Sequence, residues 1–98
     1  MEVLKFDYPD ATQTLARRVH IGVVGSGDLE VLMEPAPAKA AQVVVTTSVD
    51  GFGVVWKQVL DRFFTRFDGA AAIEINDFGA TPGMVALRLE QAAEAIRS

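Results

Sequence analysis

Val19-His20-Ile21-Gly22-Val23-Val24-Gly25-Ser26-Gly27-Asp28-Leu29-Glu30-Val31-Leu32-Met33-Glu34 carries two alternating runs joined by a glycine-rich centre. In the first run Val19, Ile21 and Val23 alternate with Arg18, His20 and Gly22. In the second, Leu29, Val31 and Met33 alternate with Asp28, Glu30 and Glu34. A period of two places alternate side chains on one face of a sheet, so each run reads as a strand with one apolar face. Gly25-Ser26-Gly27 between them supplies the backbone freedom of a tight hairpin, and the two strands are therefore predicted to pair antiparallel.

The same periodicity extends outward. Leu4, Phe6 and Tyr8 alternate with Lys5 and Asp7 in an earlier strand, separated by a polar stretch from Pro9 to Ala16. Downstream, Pro35-Ala36-Pro37 interrupts the sheet because proline has no amide to give to a ladder, and Val43-Val44-Val45 resumes it. From Phe52 the period changes: Val55, Trp56, Val59, Leu60, Phe63 and Phe67 recur at steps of three and four, an amphipathic helix. Asp50-Gly51 is its predicted entry and Asp68-Gly69 its predicted exit. Ile73 and Ile75 flank Glu74 in a fifth strand. Thr81-Pro82 is a cap followed by a first-turn proline, so a second helix is predicted through Val85, Leu89, Ala92 and Ile96. Val85, Leu87 and Leu89 also alternate, which leaves that helix's start open. The fold class is α+β: one domain over residues 1–98, a small two-layer sandwich of about five short, mostly antiparallel strands with two helices on one face, in the order ββββαβα.

Composition narrows the chemistry. The chain has 98 residues, no cysteine, one histidine and one tryptophan. A chain of this size buries about 60–70% of its unfolded surface, enough for one core without staples. The absence of cysteine removes disulfides, thiolate nucleophiles and cysteine-bound metals. Nine basic against thirteen acidic residues give a net charge of −4, the wrong sign for binding nucleic acid or anionic lipid. The start, Met1-Glu2-Val3-Leu4-Lys5, lacks the features of a secretory signal, and no apolar run approaches the roughly 18 residues of a membrane helix. A cytoplasmic chain is expected.

Most motifs have bland readings. Gly25-Ser26-Gly27 is not a dinucleotide fingerprint, because Glu30 stands where the third glycine belongs and a strand follows in place of a helix. It is not a hydrolase elbow either, since Val24 and Asp28 replace that motif's outer glycines. Asp77-Phe78-Gly79 spells the metal-binding triplet of protein kinases in a chain far too short for that fold. His20 reads as a structural or surface residue, having no second histidine or cysteine with which to bind metal. Asp28, Glu30 and Glu34 read as one solvated strand face, and Trp56 with Phe63, Phe64 and Phe67 as core. What remains is Ser26: a small hydroxyl at a turn apex, flanked by residues with no Cβ to hold an approaching enzyme away. Gly-Ser-Gly is also common in plain hairpins, so the residues alone leave both readings open. Few apolar contacts are expected around the tip, which predicts a mobile loop.

Gly22 through Leu32, with Thr46-Thr47-Ser48-Val49-Asp50 and Asp77-Phe78-Gly79-Ala80-Thr81-Pro82-Gly83, resembles the acyl carrier (delta) subunit family of malonate decarboxylase, and more distantly the citrate lyase acyl carrier subunit. The resemblance spans nearly the whole chain. It implies that Ser26 carries a 2′-(5″-phosphoribosyl)-3′-dephospho-CoA arm through a phosphodiester, placed there by a dedicated prosthetic-group transferase, with Gly25, Gly27 and Asp28 supporting the attachment loop. The arm's thiol would carry acetyl. An acetyl-carrier:malonate transferase subunit would exchange it for malonyl, and malonyl-carrier decarboxylase subunits would release carbon dioxide. Catalysis is thereby assigned to the partners and none to this chain. The helical phosphopantetheine carriers have Asp-Ser-Leu at a helix start. Here Asp28 and Leu29 follow the serine, strands surround it, and the helical fold does not transfer. Asp28 is left between shaping the turn and helping to position a magnesium-bound donor in the modifying enzyme. Asp77, Phe78, Gly79 and Thr81 are left between a helix cap and a docking patch for partner subunits. The rival reading of the whole chain is a non-covalent assembly module of a multi-subunit enzyme.

Overall fold

The structure is a computed structural model and describes residues 1–97. Its elements are β1 (Glu2–Tyr8), β2 (Gln13–Thr14), β3 (Val19–Gly22), β4 (Leu29–Pro35), β5 (Ala41–Thr47), α1 (Gly53–Phe64), β6 (Gly69–Asp77) and α2 (Pro82–Arg97). The main sheet runs β1-β5-β6-β4-β3, and the short β2 pairs with β6. β3 and β4 form the antiparallel hairpin read from the sequence, with Val19 opposite Met33 and Ile21 opposite Val31. β1 with β5 and β4 with β6 are also antiparallel, whereas β5 and β6 are parallel. That parallel pair needs a crossover, and α1 is the crossover.

The pleat decides the core. Leu29, Val31 and Met33 of β4, Val43 and Val45 of β5, and Ile73 and Ile75 of β6 are at most 2% exposed and point to one face. α1 brings Trp56, Leu60 and Phe63 to that face, and α2 brings Val85, Leu89, Ala92 and Ile96. Each fully buried side chain of this size contributes about 1.5–3 kcal/mol relative to exposure. Phe64 lies at the rim, stacked on Tyr8 at 4.0 Å between ring centroids. The other sheet face is open and carries His20, Glu30 and Asn76, where Glu30 accepts from Asn76 at 2.8 Å and contacts the His20 ring at 2.8 Å. His20 is thus a cross-strand partner on the sheet surface.

Several local expectations are corrected. β6 is much longer than Ile73–Ile75, beginning at Gly69, where the helix was expected to end. α1 stops at Phe64 and the chain turns through Thr65, whose hydroxyl donates to the Arg62 carbonyl at 2.7 Å. The polar stretch after β1 contains β2, which lies parallel to Gly69 and Ala70. Asp50 does not cap α1: its carboxylate pairs with the Met1 ammonium at 3.2 Å, Gly51 turns at φ +89°, and Phe52 occupies the cap position with no side-chain hydrogen bond. Thr81 does cap α2, its hydroxyl oxygen accepting from the Met84 amide at 3.2 Å, which settles the ambiguous start of that element as helix. No described helix is long and apolar enough to cross a membrane.

Candidate functional site: the Ser26 turn

Ser26 sits in the connection between β3 and β4, and the backbone there is determined by two glycines. At Gly22, φ is +89° and a Cβ would lie 2.2 Å from the Leu29 carbonyl oxygen, so only glycine lets the strands approach at the hairpin mouth. At the tip, the Asp28 amide donates to the Gly25 carbonyl at 3.1 Å, closing a four-residue turn with Ser26 and Gly27 at its centre. Gly27 has φ +77°, and no non-glycine among the described residues has a positive φ. That combination is a type II turn, which requires glycine after the serine. Ser26 is exposed. Its hydroxyl has no hydrogen-bond partner among the described residues. A Cβ at Gly25 or Gly27 would meet nothing within 4 Å. Neither flanking residue adds bulk beside the exposed serine.

The turn makes polar contacts with the neighbouring elements. The Gly27 amide donates to the Phe78 carbonyl at 2.8 Å, and the Phe78 amide donates to the Asp28 carbonyl at 2.9 Å. Asp28 leaves the solvated face on which strand alternation had placed it, because it precedes the strand and belongs to the turn. Its carboxylate faces α2 and accepts from Arg88 Nε at 3.2 Å and Nη2 at 2.8 Å, while one oxygen also accepts from the Leu29 amide at 2.7 Å. The Arg88 bonds, followed by the Leu29 amide, hold the Asp28 carboxyl below the usual carboxylate range, and the same pair pushes the Arg88 guanidinium up. Arg88 is oriented in turn by Gln91 at 3.1 Å. For Asp28, the role of shaping the turn is therefore visible in the geometry.

The second glycine block lies directly beneath. Asp77 ends β6 and is 4% exposed, with its carboxylate fully engaged: Thr47 Oγ1 donates at 2.8 Å, the Ala80 amide at 3.0 Å and the Gly79 amide at 3.3 Å. Ser48 adds its amide to the Asp77 carbonyl at 3.0 Å. Gly79 turns at φ +91° into open space. Asp77 thus shapes the bend into α2, and Thr81 caps the helix. The three sequence blocks around Ser26, Thr47 and Asp77 converge at one end of the sheet. Sequence reasoning missed Arg88 and the role of Thr47. A long cation placed between apolar Val85 and Leu89 on α2, with an acid directly after a glycine turn, was the available signal.

An apolar cleft opens at this same end, between the first turns of α1 and α2. It encloses about 290 Å³ and is lined by Phe52, Val55, Trp56, Gly79, Pro82 and Val85 among others, above the Thr47–Asp77 pair.

The family description "Malonate decarboxylase delta subunit (MdcD)" matches residues 16–96. A malonate decarboxylase acyl carrier protein of Pseudomonas paraeruginosa is 53% identical over 95 residues, covering 96% of this chain and 95% of its own. That of Azotobacter vinelandii is 48% identical over 97 residues, covering 98% and 97%. A chain in the crystal structure of a Pseudomonas malonate decarboxylase hetero-tetramer in complex with malonate superposes with a TM-score of 0.92 at 47% identity, over 98% of this chain and 99% of that one. An exposed serine on a strand-built turn, in a chain matched nearly end to end by these proteins, leads to one conclusion: the chain belongs to the malonate decarboxylase acyl carrier (delta subunit) family.

Proposed function

We propose that the chain is the non-catalytic carrier subunit of a cytoplasmic malonate decarboxylase complex, bearing a phosphoribosyl-dephospho-CoA arm on Ser26. The observation that carries this reading is the Ser26 hydroxyl, exposed at the apex of a type II turn whose neighbours leave open space. In the loading step, Ser26 Oγ attacks the innermost phosphorus of a triphosphoribosyl donor. A serine-oxygen-to-phosphorus bond forms, the bond to diphosphate breaks, and the hydroxyl proton passes to a base of the modifying enzyme. The serine therefore needs no base of its own, and His20 is engaged elsewhere on the open sheet face. Gly27 and Asp28 hold the turn, and Arg88 holds Asp28.

Once attached, the arm supplies a thiol that carries acetyl or malonyl as a thioester. The chain keeps the foot of that arm fixed, which raises the effective concentration of the acyl group at partner sites. A transferase subunit and decarboxylase subunits provide the chemistry. Intact-mass measurement of the chain from natively purified complex tests the reading. An adduct of the arm's mass is expected on the wild-type chain and none on Ser26→Ala, which also abolishes malonate turnover by the complex. An unmodified serine in active complex overturns it in favour of a non-covalent assembly module.

A further inference from the structure

Two recesses between α1 and α2 share the walls Val55, Val59 and Pro82, and together they form one furrow. Its inner end is the apolar cleft beside Phe52 and Trp56. Its outer end, about 610 Å³, is bounded by Gln58 and Arg62 of α1, by Arg66 in the turn that follows it, and by Ala86 and Glu90 of α2. The sole carboxylate at the inner end is Asp77, whose oxygens are already occupied by three donors. Arg62 and Arg66 are exposed, line the same recess, and make no ion pair with Glu90 or any other acid among the described residues. In a chain of net charge −4, these two arginines are a local concentration of positive charge beside an apolar recess.

The inner end of the furrow is joined to the Ser26 turn through one neighbouring residue. Gly27, next to Ser26, is hydrogen-bonded to Phe78, and the next residue, Gly79, lines the cleft. Val55 and Arg62 are seven positions apart on α1, a rise of about 10 Å. The chemistry along this path is an apolar slot followed by positive charge, which suits a purine followed by its diphosphate. The cleft volume is close to the lower end of small-ligand sites, about 300 Å³.

Resting on the reading of Ser26 as the attachment residue, we infer that the furrow is a parking site for the arm's own adenosine diphosphate segment, with the purine against Phe52 and Trp56 and the diphosphate against Arg62 and Arg66. Parking in cis needs only weak affinity, because the tether holds the ligand at a high effective concentration. The segment lies along the carrier's helices while the pantetheine end remains free.

Trp56 is the only tryptophan and lines the cleft, so it reports occupancy directly. Loaded chain, verified by mass to carry the arm on Ser26, is compared with unloaded chain by Trp56 fluorescence and by amide chemical shifts. The expected result is a change in Trp56 emission and shifts at Val55, Val59 and Arg62 that persist on dilution. In the double variant Arg62→Ser/Arg66→Ser both return towards the unloaded values. Loaded chain with shifts confined to residues 23–28 and unchanged Trp56 emission overturns the parking site and leaves the attachment reading intact. Absence of an adduct on Ser26 overturns the attachment reading. Titration of unloaded chain with free 3′-dephospho-CoA tests the furrow independently. Saturable shifts at the same residues, weakened in the double variant, support it, and none at millimolar ligand counts against it.

Discussion

Asp28 and Arg88, sixty residues apart in sequence, join the Ser26 turn to the second turn of α2 through two parallel hydrogen bonds of 3.2 and 2.8 Å. The fork of the guanidinium fixes orientation as well as distance, which a lysine at this position would not do. The turn carrying Ser26 thereby becomes part of the helical layer although it emerges from the sheet.

That pair sets an acid response. The Asp28 carboxyl titrates below its ordinary value because Arg88 and the Leu29 amide favour its charged form. The folded state then binds fewer protons here than the unfolded state, so this contribution is complete above the unfolded carboxyl value of about 3.9 and is lost as pH falls through the lower folded value. Urea midpoints measured from pH 6 down to pH 3 should fall for the wild-type chain. Asp28→Asn should start lower and show a shallower acid decline. Equal slopes would separate Asp28 from the effect.

The three glycines of the hairpin connection should respond differently to alanine. Gly22→Ala combines a left-handed φ with a 2.2 Å approach to the Leu29 carbonyl, and a loss of about 3 kcal/mol or more is expected. Gly27→Ala meets open space but keeps the strained φ, for about 1 kcal/mol. Gly25→Ala meets neither obstacle and should stay within about 0.5 kcal/mol of wild type. Chemical denaturation of the three variants ranks them.

Thr47→Val removes one of three donors from the buried Asp77 carboxylate while conserving shape. A loss of about 2 kcal/mol is expected, since hydrogen bonds to charged groups are worth about 1.5–3 kcal/mol. The amide exchange rates of Gly79 and Ala80 should rise in the same variant, and unchanged exchange would show that Asp77 holds the bend without Thr47.

Thr81→Ala deletes the side-chain acceptor for the Met84 amide at the start of α2. A cost of about 1 kcal/mol in thermal or urea unfolding is expected. Asp50→Ala should cost clearly less, because Asp50 pairs with the chain terminus at an exposed position and caps no helix.

The sequence shows its faces more readily than its neighbours. The alternation of Leu29, Val31 and Met33 and the helical spacing of Trp56, Leu60 and Phe63 reveal which side of each element is buried, because burial imposes the period. Periodicity carries no information on which strand lies beside which, so the insertion of β6 between β5 and β4 was not legible. β2 escaped because a two-residue strand has no period, and its place depends on the Thr12 and Gln13 amides both reaching the Asp68 carbonyl at 2.9 and 3.0 Å. At the site, the turn and its exposed serine could be read from Gly25-Ser26-Gly27. The Arg88 partner could not, since local alternation predicts a solvated Asp28 and only the packing of α2 across the sheet brings a cation to it.

The bond between the Gly27 amide and the Phe78 carbonyl has a consequence for the economy of the assembly. For a group tethered at Ser26, as proposed, it ties the base of the tether to the end of β6. Every station that such a group visits must then lie on or inside a sphere centred on Ser26. Partner sites would then be expected to lie within that sphere.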